Sequence, residues 1–186
     1  MVDSLDKQAS SAYTKGKYKE ALPLLSELAK QDNVAVLLAV AWINETGAAG
    51  EKNTKDAINY YRRAADLGSC DALYRLGRIF EKSNDFGDTF KVFEQGALQE
   101  HLPCISALGL LMLRLSNNPE EIKIGMHWLN YAADRGHIFA RKQIICRKYK
   151  NTNSFRDVLW MFFRLTLLQF EYFIEKMKDK HSVKIL

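Results

Sequence analysis

Residues 53–77 read Asn-Thr-Lys-Asp-Ala-Ile-Asn-Tyr-Tyr-Arg-Arg-Ala-Ala-Asp-Leu-Gly-Ser-Cys-Asp-Ala-Leu-Tyr-Arg-Leu-Gly, and this stretch decides the fold. Its spacing predicts one helix that ends at Gly68 and a second that begins near Asp71. Small residues recur on the faces where two helices would touch: Ala57, Ala64, Ala65, Ala72 and Gly77. A pair of helices with small residues at their contact is typical of a helical hairpin repeat.

The hairpin pattern recurs along the chain. One column of the first helices contains Val34, Ala72, Cys104 and Ala140, which gives periods of 38, 32 and 36 residues. The same alignment makes a column of Leu38, Leu76, Leu108 and Ile144, and another of Trp42, Phe80, Met112 and Lys148. In the second helices the columns include Ala57, Thr89 and Gly125, then Tyr61, Phe93 and Leu129. A lone hairpin cannot bury its apolar faces, so the pattern predicts units that stack.

Two glycines close the predicted second helices. Gly68 and Gly136 occupy the same position in their units, and each is expected to adopt the left-handed conformation that ends a helix. In the divergent middle unit Glu100 takes this position. The three residues are therefore predicted to be equivalent helix caps.

The repeats resemble a known family. Residues 57–68 read Ala-x-x-Tyr-Tyr-x-x-Ala-Ala-x-x-Gly, residues 72–80 read Ala-x-x-x-Leu-Gly-x-x-Phe, and residues 128–140 read Trp-Leu-x-x-Ala-Ala-x-x-Gly-His-x-x-Ala. These motifs are similar to the Sel-one-like repeat, a relative of the tetratricopeptide repeat, and the resemblance extends over about 34–149. Upstream, Gly16-x-Tyr18-x-x-Ala21 resembles the middle of a tetratricopeptide repeat.

The resemblance implies an all-α fold, a short right-handed α-solenoid of helix-turn-helix repeats followed by a C-terminal apolar capping helix. We expect a tetratricopeptide-like hairpin in residues 1–33 and Sel-one-like repeats in 34–150. An apolar helix and a basic tail follow in 151–186. The family further implies a non-enzymatic scaffold or adaptor, or a small regulatory binder, that holds a protein or peptide partner in the groove of the solenoid.

Composition and charge narrow the possible functions. Hydrophobic residues make up 47% of the 186-residue chain and charged residues 26%, which is ordinary for a folded protein. The net charge of +5 comes from the tail, since the residues from His137 onward include eleven Lys and Arg but four Asp and Glu. The repeat region before it is slightly acidic, so no nucleic-acid partner is expected.

The three cysteines and the first residues bear on localisation. Cys70, Cys104 and Cys146 form no Cys-x-x-Cys pair, so neither a disulfide framework nor a zinc site is indicated. No apolar segment follows a basic start near Met1, so no secretory leader is predicted. Both observations favour a cytoplasmic protein.

No catalytic constellation is recognisable. His127 and His137 are ten residues apart, and His101 and His181 lie in turn and tail contexts, so the spacing of metal ligands is absent. The sequence contains no glycine-rich phosphate loop, no Gly-x-Ser-x-Gly elbow and no cysteine with a histidine partner in register. We therefore expect no enzyme activity, no cofactor, no metal and no small-molecule substrate.

Residues on the first helices that packing does not require are candidates for partner binding. They combine aromatic and arginine side chains, the types that anchor protein partners. The groove candidates are Tyr74, Arg75, Arg78, Ser106, Arg114, Lys142 and Gln143. An ordinary solvated face is the alternative for each of them.

Residues 155–174 form a long apolar helix with two competing interpretations. As a cap, it would pack one face on the helix of residues 140–149, and its polar line of Asp157, Arg164, Glu171 and Lys178 would face solvent. Alternatively, the helix contacts a membrane surface or a partner helix through Trp160, Phe163, Leu167 and Phe170. Basic residues flank it, as in an interfacial anchor: Arg147, Lys148 and Lys150 before, Lys176, Lys178 and Lys180 after. A spanning helix is not expected, because Arg164, Gln169 and Glu171 interrupt the apolar run.

Overall fold

A computed structural model describes residues 2–149 and 154–182, and all regular elements in these ranges are helices. Consecutive helices form antiparallel pairs, which confirms the predicted all-α class. The helices are α1 (Val2–Thr14), α2 (Tyr18–Leu28), α3 (Val34–Thr46), α4 (Thr54–Asp66), α5 (Cys70–Lys82), α6 (Phe86–Leu98), α7 (Leu102–Leu115), α8 (Pro119–Asp134), α9 (Ile138–Lys148) and α10 (Phe155–Ser182). A short 3-10 turn, Ala29–Gln31, follows α2. Lys150 lies outside the described residues, as do the side chains of Lys178, Lys180 and His181.

Local sequence sets where the helices begin and end. Side-chain oxygens accept hydrogen bonds from the first backbone N–H groups of α3, α4, α5, α6 and α8, and the capping residues are Asn33, Asn53, Ser69, Asp85 and Asn118. At the other ends, Gly68, Glu100 and Gly136 have φ angles of 89°, 57° and 91°. The predicted equivalence of these three left-handed residues is confirmed.

The chain divides into two units, the first ending at Cys104 and the second beginning at Ile105. The core of the first unit contains the fully buried side chains of Leu37, Tyr61 and Phe93. A Cβ placed on Gly77 would lie 2.2 Å from Cε1 of Phe93, so α5 and α6 touch at a point that only glycine permits. The predicted role of Gly77 at a close helix contact is confirmed.

Burial corrects the predicted alignment of α3. The column that pairs Leu38 with Leu76 is wrong, since Leu38 is half-buried and Val40 is fully buried. An alignment offset of 36 residues instead pairs buried positions of α3 with buried positions of α5: Leu37 with Leu73, Val40 with Leu76, Ala41 with Gly77, and Ile43 with Ile79. The shift of two positions also moves Trp42 from the column of Phe80 to that of Arg78.

Side chains fasten consecutive hairpins of the first unit. Arg63 of α4 donates to Oδ1 of Asp32 and to the carbonyl oxygen of Ala29, both at 2.6 Å. Tyr61 of α4 donates to Oε2 of Glu45 at 2.8 Å. Arg63 therefore joins the α3/α4 hairpin to the end of the preceding hairpin, whereas Tyr61 joins the two helices of its own hairpin.

The second unit repeats the packing of small residues with backbone atoms. A Cβ on Gly109 of α7 would lie 2.7 Å from the carbonyl oxygen of Gly125 of α8, and one on Gly125 would lie 2.9 Å from that of Gly109. Leu129, Ala132 and Ala140 are fully buried around this contact. The last helix, α10, packs on α9.

Candidate partner-binding surfaces

Helix α5 presents one exposed polar line. Its buried side contains Leu73 and Leu76, while the exposed residues recur at spacings of four, three and four: Asp71, Arg75, Arg78 and Lys82. Arg78 forms an ion pair with Glu81 on the same helix. The structure thus places the predicted candidates Arg75 and Arg78 together on the surface of the first unit.

The other predicted groove residues have different surroundings. Tyr74 is half-buried, with its ring 6.1 Å from that of Phe93 and 6.5 Å from that of His101. Ser106 is only 1% exposed, so its predicted exposure is wrong. The reason is that three consecutive residues, Cys104 to Ser106, are buried in the first turn of α7. At the start of α5 only two consecutive residues are buried.

Three candidates belong to the second unit. Arg114 and Lys142 are exposed and Gln143 is half-buried. Each lies on the first helix of its hairpin, α7 for Arg114 and α9 for the other two. Arg75 and Arg78 belong to the first unit, so these three residues form a second set of candidates.

An aromatic cluster on α1, α2 and α3 was not predicted as a site. Tyr13, Tyr18 and Trp42 are half-buried, and their ring centroids lie 5.2 to 6.2 Å apart in edge-to-face geometry. In the corrected alignment Trp42 occupies the position that Arg78 has on α5. Ten of the thirteen residues of α3 are apolar. The sequence therefore shows no alternation of polar and apolar residues that would mark Trp42 as a surface position.

Polar contacts join α3 to α4 and α5. Glu45 of α3 accepts a hydrogen bond from Tyr61 and lies 3.9 Å from Nζ of Lys82. Burial raises the pKa of Tyr61 well above its usual value, the hydrogen bond to Glu45 raises it further, and Arg75 acts in the opposite sense. The carboxylate of Glu45 thus has one partner on α4, Tyr61, and one on α5, Lys82. We call Tyr13, Trp42, Glu45, Arg75 and Arg78 the α3/α5 surface.

A cysteine and a histidine do come together, against the sequence prediction. Nδ1 of His101 lies 3.1 Å from Sγ of Cys104, and Nε2 lies 3.4 Å from Oδ1 of Asp71. The spacing His-x-x-Cys at the start of α7 could have indicated this pair. However, Cys104 is fully buried, and burial raises the pKa of its thiol to about 12. The thiol therefore stays protonated near neutral pH and is a packing group, not an activated nucleophile.

Helix α10 exposes an apolar surface that begins at the edge of the α9 cleft, which Leu167 lines, and continues around the side of the helix that does not border α9. We define the outer α10 face by six residues that are 47% to 62% exposed: Leu159, Trp160, Phe163, Leu167, Phe170 and Phe173. It includes all four residues predicted for contact with a membrane or a partner helix. Soluble monomers rarely expose a continuous apolar surface of this kind unless it has an interaction role.

The side of α10 next to α9 combines apolar residues with charged ones. Glu171 lies 3.2 Å from Arg141 of α9, and Arg164 lines the same cleft of about 320 Å³ between the two helices. Leu168 is the buried anchor of this contact, with 7% exposure. The predicted packing of α10 on α9 is confirmed. Arg164 and Glu171 of the predicted polar line are exposed, as expected, although they border the cleft with α9.

Membrane-spanning helices and metal-binding groups are both absent from the described residues. No described helix is long and apolar enough to cross a membrane. Among the described side chains, no group of three or more His, Cys, Asp or Glu residues is arranged to hold a metal ion.

Solved structures share this fold. A Sel1 repeat protein from Oxalobacter formigenes superposes with a TM-score of 0.65 at 23% identity, covering 83% of this chain and 65% of that one. A protective antigen of uropathogenic Escherichia coli with the same repeat fold superposes with a TM-score of 0.61 at 23% identity, over 77% of this chain and 32% of that one.

Sequence comparison also finds a relative in fission yeast and a repeat family. Chitin synthase regulatory factor 4 of Schizosaccharomyces pombe is 29% identical over 102 residues, which is 54% of this chain and 16% of the yeast protein. The chain thus spans less than a fifth of that relative. The family model described as Sel1 repeat matches residues 35–69, 70–98 and 108–137, half of the chain in total. These matches coincide with the helix pairs described above, and the chain therefore belongs to the Sel1 repeat family.

Proposed function

We propose that this chain is a non-enzymatic scaffold that binds a protein or peptide on the α3/α5 surface of its first unit. The observation that supports this proposal is the presence of exposed arginines and half-buried aromatics on neighbouring first helices, at positions that repeat packing does not require. Tyr, Trp and Arg are the residue types that contribute most to binding energy in protein interfaces. The cytoplasm is the proposed compartment.

The chemistry of the surface suggests the kind of partner. Arg75 and Arg78 offer guanidinium groups, although Arg78 already shares Glu81. Tyr13 and Trp42 offer the faces and edges of aromatic rings. A peptide with a carboxylate next to an apolar or aromatic side chain would satisfy both groups.

The comparisons support a regulatory binding role. The fission yeast relative is named a regulatory factor of chitin synthase, and the match covers 54% of this chain. Repeats of this family generally mediate protein interactions, and stacked hairpins present the first helix of each unit to a partner. Arg114, Lys142 and Gln143 remain proposed contacts of the second unit.

Affinity capture with a matched pair of variants tests the α3/α5 surface. Arg75→Ala/Arg78→Ala removes both guanidinium groups from exposed positions. Lys55→Ala/Lys91→Ala is the control, since it removes two exposed cations from the second helices α4 and α6. Tagged full-length proteins are incubated with extract, and recovered proteins are quantified by mass spectrometry.

We expect a partner whose recovery falls about tenfold with the arginine variant and is unchanged with the lysine variant, since removal of anchoring arginines typically costs more than about 1 kcal/mol. Circular dichroism must show the same helix content for all three proteins. Equal recovery with both variants would refute the assignment of this surface.

A further inference from the structure

The outer α10 face is too wide for a single partner helix. At about 100° per residue its six side chains spread over about 140° of the helix circumference. A coiled-coil seam occupies a narrower stripe than a surface helix that faces a core. Two neighbouring exposed phenylalanines, Phe155 and Phe162, widen the surface further, with exposures of 83% and 58%. The occupant must therefore be broad.

The residue types on this surface fit a lipid interface. Four of its six side chains are Trp or Phe, and the other two are Leu. Aromatic and leucine side chains dominate the apolar face of helices that lie in the headgroup region of a bilayer. The polar residues of α10 that border α9 would stay on the protein side.

The charges near α10 favour an anionic occupant. Helix α9 has four basic residues and no acidic one: Arg141, Lys142, Arg147 and Lys148. Arg156 precedes Trp160 by four residues and Phe163 by seven, so it shares their side of α10. A second copy of the chain would bring equal positive charges together, whereas anionic lipid headgroups would neutralise them.

We propose that the outer α10 face docks on the surface of an anionic lipid bilayer, with α10 lying parallel to it. Trp160, Phe163 and Phe170 enter the boundary between headgroups and acyl chains. Arg156 lies on the same side and contacts the headgroups, while the exposed basic residues of α9 add a longer-range attraction. This docking is independent of the peptide surface on the first unit, so either proposal can fail without the other.

Vesicle partitioning of the full chain tests the proposal. The chain is mixed with vesicles of phosphatidylcholine alone, or of equal amounts of phosphatidylcholine and phosphatidylserine, and the bound fraction is measured by sedimentation. We expect binding to the anionic vesicles that weakens as salt is added, and much weaker binding to the neutral ones. Equal binding to both vesicle types, or binding to neither, would overturn the proposal.

Two matched variants separate the apolar surface from general hydrophobicity. Leu159→Ser/Phe163→Ser/Phe170→Ser removes three side chains from the centre of the outer α10 face. Leu67→Ser/Leu98→Ser/Ile124→Ser removes three apolar side chains that are 46% to 81% exposed on other helices. Partition should fall at least about tenfold for the first variant and remain unchanged for the second. Equal effects would contradict the assignment.

A spectroscopic and a hydrodynamic measurement complete the test. In Trp42→Phe/Trp128→Phe, Trp160 is the remaining tryptophan, and its emission should shift to shorter wavelength with anionic vesicles. Lack of a shift on bound protein would exclude entry of α10 into the interface. Sedimentation velocity without lipid should show a monomer, and a dimer abolished by the α10 variant would overturn the lipid proposal in favour of a second copy.

Discussion

Helices α5 and α10 use apolar residues in opposite ways. In α5 the large apolar side chains, such as Leu73 and Leu76, are buried and the charged residues form an exposed line. In α10 the charged residues Arg164 and Glu171 border the neighbouring helix, while most large apolar side chains are exposed. Both sequences are amphipathic, but only α5 has a neighbour on each apolar side.

The difference shows that a helix inside the repeats is covered by neighbouring helices of the same pattern, whereas α10, outside that pattern, is not. Helix α5 packs between α4 and α6, and its small residue Gly77 meets the large Phe93 of α6. In the described part of the chain, helix α10 packs on α9 through Leu168 and the ion pair between Glu171 and Arg141. An exposed apolar side chain in α10 is therefore available for function, whereas its counterpart in α5 serves the core.

The largest contrast should come from removing one phenylalanine from each region. Phe93→Ala should lower the free energy of unfolding by about 3 to 5 kcal/mol, because Phe93 is fully buried. Phe163→Ala, at a side chain that is 53% exposed, should change it by less than about 0.5 kcal/mol. Urea unfolding followed by circular dichroism measures both. Similar losses would show that the comparison between the two regions is mistaken.

A smaller effect is expected at the glycine that faces Phe93. Gly77→Ala should cost about 1 to 3 kcal/mol, because the added methyl group overlaps the ring. In the Phe93→Ala background the same change should cost nothing, since the ring is absent. Gly87→Ala is the control: its Cβ would meet only Oδ1 of Asp85, at 3.8 Å, so alanine should be tolerated. Additive losses in the double variant would argue against the overlap.

Alkaline pH should reveal the buried, protonated thiol of Cys104. Burial raises the pKa of Cys104 from its ordinary 9.0 to about 12. Between these pH values the unfolded thiol has ionised and the folded one has not, so stability declines by up to about 1.4 kcal/mol per pH unit. Below pH 9 the thiol is protonated in both the folded and the unfolded state, so its ionisation costs no stability there. Wild type should lose stability relative to Cys104→Ala across this window, and parallel curves would contradict the shift.

The smallest effect should follow loss of the ion pair that holds α10. Glu171→Gln removes the attraction to Arg141, and both side chains are substantially exposed, so the cost should stay below about 1 kcal/mol. Amide hydrogen exchange should accelerate in α10 and remain unchanged in α5. Glu27→Gln, which breaks the exposed pair with Lys30, is the control and should leave α10 unaffected. Faster exchange throughout the chain would mean that α10 supports the repeats.

Local patterns in the sequence predicted the repeat fold well. Gly68, Gly136 and Glu100 were identified as equivalent caps because helix termination depends on a single residue in a defined conformation. Gly77 was correctly predicted to lie at a close helix contact, and the structure shows that it meets Phe93. The alignment of α3 was wrong by two positions because an almost wholly apolar helix has no polar face to mark its orientation.

The surfaces were harder to predict because they depend on neighbours in space. The polar line of α10 was correctly recognised as one side of a helix, but spacing does not reveal which side a neighbouring helix occupies. Trp42 was assigned to packing for the same reason. The contact between His101 and Asp71 joins residues thirty apart in sequence, and no local pattern indicates it.

Glu100 has a consequence for how such a chain can change over evolution. A side chain in the left-handed conformation is less favourable than glycine, yet the middle unit tolerates it. In a repeat array each unit contributes its stability separately, with terms only for its nearest neighbours. One unit can therefore drift from the family motif while the others preserve it. The divergence of the middle unit is thus compatible with two well-kept neighbours, and new binding surfaces can arise without loss of the fold.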